Sequence, residues 1–346
     1  MKNLPAGLLL LGSLLSPGFL EAASIRVVTI NVWAGLDYKG SLKMGEYEDP
    51  GQRARRTSVL VAELKELDPE VVAVNEANKL PGYARSLAHQ LGYDFTYHVG
   101  LGGLRIGPVG LPVNLREGDA LLAKKSLGLR RAGRKQLSGG PVGNIFTAHF
   151  ADATQVIAAR IHLAGLEVYM FNTHWHSSPF PTPEYLRQLR QRHDSGLVDR
   201  QRYEQLVAEA ADGREWRLDE ARKTVAFIDR VAGDHPVILL GDFNAESSSP
   251  EIGILKAAGF RDAFAEAGEG PGYTWDGVRN SNIRLQKETF PEDFWLEPTR
   301  KRIDFIFLRG DALRVIRCRV VFDRPVLGTY PSDHFGVMAD IEILGE

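Results

Sequence analysis

The feature that most limits the fold of this chain is a set of short apolar runs that break abruptly into polar residues. Val71-Val72-Ala73-Val74 passes into Asn75-Glu76, and Val168-Tyr169-Met170-Phe171 passes into Asn172-Thr173-His174-Trp175-His176. Val237-Ile238-Leu239-Leu240 passes into Gly241-Asp242-Phe243-Asn244, and Thr29-Ile30 into Asn31. Asp304 interrupts the apolar run Ile303-Asp304-Phe305-Ile306-Phe307, and Ser332-Asp333-His334 stands immediately before the run that starts at Phe335. Short apolar runs bounded by turn residues predict buried strands. Side chains two apart on a strand share a face, so Asn172, His174 and His176 are expected together, as are Asp242 and Asn244. Polar groups buried there without partners would be costly. They must be paired with one another, solvated in a cleft, or bound to a ligand.

Each residue alone has a plain structural role. Glu76 can cap or salt-bridge, His174 can be a satisfied histidine, and Asn31, Asn75 and Asn244 are common turn formers. Asp304 can pair with Lys301 or Arg302. Six interruptions at strand ends or turns, however, can converge on one sheet edge.

Further strands are predicted at residues 25–30, 94–98, 120–123, 155–163, 167–172, 303–308, 313–322 and 336–343. Helices are predicted at 53–67 and 83–91. Many strands follow one another without a helix between them, so the sheets must be mixed and largely antiparallel. Covering helices complete an α/β class. No repeat, low-complexity tract or Pro/Ser-rich linker divides residues 24–346, which read as one domain. Two stretches look added. Residues 99–118 are rich in Gly, Leu and Pro and read as a mobile loop or apolar lip. Residues 177–216 are strongly charged and read as a solvated helical insertion rather than a substrate lid.

Composition removes several alternatives. Forty-four per cent hydrophobic and 25% charged residues exclude a disordered, collagenous or polytopic membrane chain. Forty-two Lys+Arg against 44 Asp+Glu argue against a protein that coats nucleic acid, while leaving a local basic groove open. The one cysteine, Cys318, sits in an apolar strand and permits neither an intramolecular disulfide nor a Cys-based metal site. Residues 1–23 have the form of a signal peptide: Lys2, an apolar core at Leu8 to Leu11 and Leu14-Leu15, then Ala22-Ala23. A secreted or periplasmic protein is therefore expected.

A cluster with few carboxylates, no soft ligands and several neutral donors suits Mg²⁺, or another hard divalent cation such as Mn²⁺. Zinc is disfavoured, because no H-E-x-x-H or similar spacing occurs. A Walker loop and a dinucleotide-binding glycine fingerprint are also absent.

Asn31, Asn75-Glu76, Asn172-Thr173-His174, Gly241-Asp242-Phe243-Asn244, Arg302-Ile303-Asp304-Phe305-Ile306 and Ser332-Asp333-His334 resemble, in order, the motifs of the endonuclease/exonuclease/phosphatase (deoxyribonuclease I-like) superfamily. The resemblance implies a four-layer α/β sandwich of two packed, mixed, mostly antiparallel sheets flanked by helices. It implies a Mg-dependent phosphoric ester hydrolase in which Glu76 is the principal metal ligand, Asn31 lies beside the metal, and Asp333 is a second metal-side carboxylate. His174 is similar to the histidine that hydrogen-bonds the scissile phosphate. Asp242 and Asn244 resemble the pair that orients the water and stabilises the pentavalent phosphorus. Asp304 resembles the partner that orients His334, the general base or acid; whether His334 or Asp242 takes the proton stays open. The sequence departs from the commonest pattern at Asn75, where many members carry Gln.

Three features are similar to the sphingomyelinase branch: His174-x-His176, Asn75-Glu76, and the segment from Tyr273-Thr274-Trp275-Asp276 through Asn280-Ser281-Asn282-Ile283 and Phe290-Pro291-Glu292-Asp293 to Asp304. They imply a phospholipid substrate, sphingomyelin above all, with peripheral contact to a membrane surface. The alternatives are DNA or RNA, a sugar or inositol phosphate, and a non-catalytic binding module. Arg53, Arg55 and Arg56 are candidate phosphate contacts or a solvated helix face. A monomer is expected.

Overall fold

The computed structural model describes residues 23–35, 48–101, 105–106, 109–110, 116–138, 154–289 and 300–344. Two sheets pack face to face. The first contains β1 (Ala23–Asn31), β2 (Val71–Ala77), β3 (Tyr93–Leu101), β6 (Glu117–Lys124), β12 (Gly268–Glu269), β16 (Leu313–Val321) and β17 (Gly336–Ile343), in the order β12-β16-β17-β1-β2-β6-β3. The second contains β7 (Arg130–Gln136), β8 (Gln155–Leu163), β9 (Leu166–His174), β10 (Val237–Asp242), β11 (Arg261–Asp262) and β15 (Asp304–Arg309), in the order β11-β15-β10-β9-β8-β7. Two small ribbons pair β4 (Arg105–Ile106) with β5 (Val109–Gly110), and β13 (Trp275–Asp276) with β14 (Arg300–Lys301). In the first sheet β1·β2 and β12·β16 are parallel, and in the second β9·β10; the other pairs are antiparallel.

Strand alternation builds the layers. Ile25 and Val27 of β1, with Ile238 and Leu240 of β10, enter the core between the sheets. Their neighbours face outward. Val28 and Ile30 meet Leu60, Val61 and Leu64 of α1 (Pro50–Leu67) and Leu87 of α2 (Gly82–Leu91). Val237 and Leu239 meet Phe227 and Ile228 of α4 (Arg200–Ala232) and Ile252 and Leu255 of α5 (Pro250–Ala257). The result is the expected α/β/β/α sandwich. Helices α3 (Pro183–Asp194), α6 (Ala263–Ala267) and α7 (Ser281–Thr289) complete the set.

Several expectations change. Helix α1 starts at Pro50 because Asp49 caps it, accepting from the Gln52 N–H at 3.0 Å. Strand β7 was not expected; its sequence RRAGRKQ is polar because it is an edge strand paired on one side only. The loop expected at 99–118 is strand at both ends, where Val99 pairs with Gly118 and Leu101 with Glu117. The charged segment 177–216 is helical over Pro183–Asp194 and from Arg200 onward, mostly exposed or half-buried, with Leu189, Val198, Leu206 and Ala210 turned inward. Helix α4 runs through its end without a break, and Arg217, Glu220, Ala221 and Thr224 on the next turns are fully buried. Residues 1–22 of the expected leader and the segment Phe290 to Asp293 lie outside the described residues; Ala23 begins β1, opposite Ile343.

Candidate active site

Strand register gathers the polar ends. Strands β1 and β2 are parallel, so Asn31 and Asn75 are Cα partners. In the second sheet Asp242 is the register partner of His174 on one side and of Asp304 on the other. Because β17 runs antiparallel to β1, His334, just before β17, arrives at the end of β1. Gly241 is required here. Its φ is +140°, and a Cβ would stand 1.9 Å from the Thr173 carbonyl oxygen, so no side chain fits between Leu240 and Asp242. Glu76 and Asn244 hold positive φ angles of 54° and 44°, which turn both side chains at strand ends.

Asp242 is the hub. Its Oδ2 lies 3.6 Å from His174 Nε2 and 3.8 Å from His334 Nε2. Its Oδ1 accepts the Asn244 N–H at 2.9 Å. The Asn244 amide nitrogen lies 3.2 Å from His174 Nε2 and donates to the Trp175 carbonyl at 3.0 Å. His334 Nδ1 meets Asp304 Oδ2 at 2.9 Å. Burial opposes a charged His334, but Asp304, Asp242 and Asp333 outweigh it and raise its pKa well above the ordinary value. Burial raises Asp304 too, and its partner His334 pulls it back.

The metal-side residues meet across the two sheets. The Asn31 amide donates to Glu76 Oε1 at 2.8 Å and to Asp242 Oδ2 at 3.1 Å, so carboxylates from both sheets focus on one point. Glu76 Oε2 accepts the Ala34 N–H at 3.1 Å. Asp333 is oriented by the Ser332 hydroxyl at 3.1 Å and the Gln286 amide at 2.5 Å. The carboxylate oxygens of Glu76, Asp242 and Asp333 are the hard donors that fit a divalent cation, while Asn31 turns its N–H side to the first two, its Oδ1 accepting the Trp33 N–H at 3.0 Å. Asp242, Asp304 and His334 also offer ligand atoms within 4.8 Å of one another. There the Nδ1–Oδ2 hydrogen bond already consumes one donor and one acceptor, so that trio reads as an acid–base chain.

Sequence reasoning missed the supports. Asp119 is buried and accepts from Asn75 and from Gln155, each at 2.7 Å; burial pushes its carboxyl up to about 6. Asn75 also reaches Asn172 Oδ1 at 3.0 Å, and its own Oδ1 accepts the Asp242 N–H at 3.2 Å. The buried Thr274 hydroxyl accepts the Ile303 and Asp304 N–H groups at 3.1 and 3.2 Å. Asn280 and Asn282 donate to the Ser332 carbonyl. Trp275 sets its edge to the His334 ring at 5.0 Å between centroids.

Two expectations are corrected. His176 lies beyond β9 and does not share the His174 face: its ring meets Trp216 of α4 at 4.6 Å, and burial holds its pKa down at about 4. Arg56 is no phosphate contact. It is buried, pairs with Glu48 at 2.5 Å, and donates to the carbonyls of Val32, Trp33 and Pro331. Arg53 also pairs with Glu48, at 3.1 Å.

A model of the Endonuclease/Exonuclease/phosphatase family matches residues 28–334. Nocturnin of Drosophila melanogaster is 26% identical over a 146-residue alignment that covers 37% of this chain and 23% of that protein. The aligned part thus spans less than a quarter of that relative. Among solved structures, the endonuclease/exonuclease/phosphatase from Bacteroides vulgatus aligns with a TM-score of 0.60 at 17% identity, over 92% of this chain and 99% of that one. D. rerio TDP2, complexed with single strand DNA product, aligns with a TM-score of 0.57 at 19% identity, over 92% and 98%. At such identities these likenesses are of fold.

Proposed function

The chain belongs to the endonuclease/exonuclease/phosphatase family, a family of phosphoric ester hydrolases, and on that premise we propose that it is a divalent-metal-dependent phosphodiesterase acting on a nucleic acid strand. The observation that carries the catalytic reading is the position of Asp242, in register with His174 and Asp304 and within 3.8 Å of both imidazoles.

In this reading Glu76 would hold the cation, with Asn31, which donates to Glu76, and Asp333 contributing to the same site. When bound, the cation offsets the charge that builds on the phosphate. Asp304 fixes His334 by its Nδ1, which leaves Nε2 directed at Asp242. A water beside His334 and Asp242 attacks phosphorus and gives its proton to Asp242, or to His334 in the fraction of molecules whose ring is neutral, while the bond from phosphorus to the leaving oxygen breaks and that oxygen takes up a proton from solvent. His174 and Asn244 flank the other side of Asp242, where imidazole and amide N–H groups meet the non-bridging oxygens.

Phospholipid is the substrate implied by three features together, His174-x-His176, Asn75-Glu76 and the segment from Tyr273 to Asp304. With the His176 ring against Trp216 of α4, the first of the three no longer points to the site. Nucleic acid is favoured instead by the fold likeness to a protein solved with single-strand DNA.

The test is hydrolysis of bis-p-nitrophenyl phosphate, single-stranded DNA and sphingomyelin liposomes, with Mg²⁺ or Mn²⁺ and with EDTA. We expect EDTA-sensitive cleavage of the first two, abolished in Glu76→Ala, with DNA cleavage falling as salt rises. Cleavage of liposomes alone would restore the phospholipid reading, and no cleavage of any diester would end this one.

A further inference from the structure

Lys301 ends β14 and stands opposite Trp275, the tryptophan packed on His334. Its ammonium lies 4.5 Å over the Phe180 ring, and the Arg217 guanidinium lies 5.1 Å over the same ring. Phe180 belongs to the loop that leaves His174. Helix α4 secures that loop: Arg217 Nη1 donates to the His176 carbonyl at 3.2 Å, and Glu220 accepts the His176 N–H at 2.8 Å.

An aromatic face attracts a lysine but accepts none of its three N–H bonds. Among the described residues no oxygen lies within hydrogen-bond or ion-pair reach of Lys301 Nζ. Burial lowers Lys301 to about 8, Arg217 pushes the same way, and Glu246 and Asp242 oppose; it stays cationic at neutral pH. Arg217 is in a similar state. It is fully buried, Glu251 lies 3.5 Å from its Nε, and its Nε and Nη2 make no hydrogen bond. Two partly satisfied cations thus share one ring, and the Asp242 carboxylate is close enough to act electrostatically on Lys301.

We propose that Lys301, backed by Phe180 and Arg217, is an anion subsite that takes the phosphate next to the scissile one in a substrate carrying several phosphates. This rests on the phosphodiesterase reading above. The same pair of cations repels a trimethylammonium group, which would otherwise favour an aromatic face. The subsite therefore selects a polyanion over a choline headgroup.

The experiment compares kcat/KM of wild type, Lys301→Met and Lys301→Arg on three substrates: bis-p-nitrophenyl phosphate, which has one phosphate, oligothymidylate, and an inositol polyphosphate. Loss of a charge-assisted contact is worth about tenfold to a hundredfold. We expect Lys301→Met to lower kcat/KM on a multi-phosphate substrate by at least about tenfold more than on the single diester, mainly through KM, and Lys301→Arg to restore most of it. A differential on oligothymidylate supports the subsite together with the diester reading; a differential on inositol polyphosphate alone supports the subsite but moves the scissile bond from a phosphodiester to a phosphomonoester. Equal losses on all substrates, or no loss, overturn the subsite. A wild type inactive on every diester instead removes the reading beneath it, and that outcome is visible before any variant is made.

Discussion

His334 Nδ1 lies 2.9 Å from Asp304 Oδ2, and neither side chain is more than 6% exposed. The carboxylate does two things at once: it fixes the ring so that Nε2 faces Asp242, and it favours the protonated ring. Asp304→Asn keeps the shape and loses the charge. Turnover should fall by about 10²-fold or more, the scale for a disabled acid–base group. Asp304 is among the carboxylates that raise His334, so its removal lowers the imidazole pKa, and the limb of the kcat/KM profile that belongs to His334 should move to lower pH. A pH series of initial rates checks both; an unmoved profile with full turnover would show that the contact is only structural.

Thr274 should be a structural keystone for the same strand. Its hydroxyl oxygen is the acceptor for two consecutive N–H groups, those of Ile303 and Asp304, in a fully buried place. Thr274→Val is nearly isosteric and leaves both donors without a partner. We expect a loss of about 1–3 kcal/mol in urea unfolding, with lower activity because the base of Asp304 loosens. Equal midpoints for variant and wild type would mean that other groups take over those donors.

How much of this was legible in the sequence depends on which kind of residue is asked about. Glu76, Asp242 and His334 could be read because each breaks an apolar run at a strand end, and the sandwich brings strand ends to one edge. Asp119 could not: in Gly118-Asp119-Ala120 it resembles a turn residue, and its burial depends on Asn75 and Gln155 arriving from two other strands. Arg217 and Glu220 could not either. They lie in a helix whose charge suggests a solvated face, and both are fully buried under the His174 loop. Local periodicity reports the average environment of a segment, whereas buried charges depend on contacts across tens of residues. His176 failed for a simpler reason: the two-residue alternation held only to His174, where β9 ends.

Asp119 makes a pH-dependent contribution whose sign can be worked out. Its folded carboxyl sits at about 6 against an ordinary 3.8. Below the lower value both states are protonated and the group is neutral to stability. Between the two, the unfolded chain ionises first, so stability falls as pH rises; above about 6 the cost levels off at roughly 2–3 kcal/mol. Asp119→Asn removes this dependence. Relative to wild type, the variant should gain about that amount between pH 3.5 and 7, read from urea midpoints. Parallel curves would mean that Asp119 is charged at no cost.

The last prediction separates two places for a cation. Glu76 and Asp242 converge on the Asn31 amide, while Asp242, Asp304 and His334 form a second close group. If the cation sits with Glu76, ligand linkage should stabilise the fold by about 2.7 kcal/mol at a hundredfold excess of Mg²⁺ over Kd, a shift of several degrees in Tm. Glu76→Gln should lose most of that shift. Asp304→Asn should keep it, because Asp304 is already committed to His334. The reverse pattern, a shift kept by Glu76→Gln and lost by Asp304→Asn, would move the cation to the second group and remove His334 from proton transfer. Melting curves with and without Mg²⁺ need no substrate, so they decide the matter even for a variant with no measurable turnover.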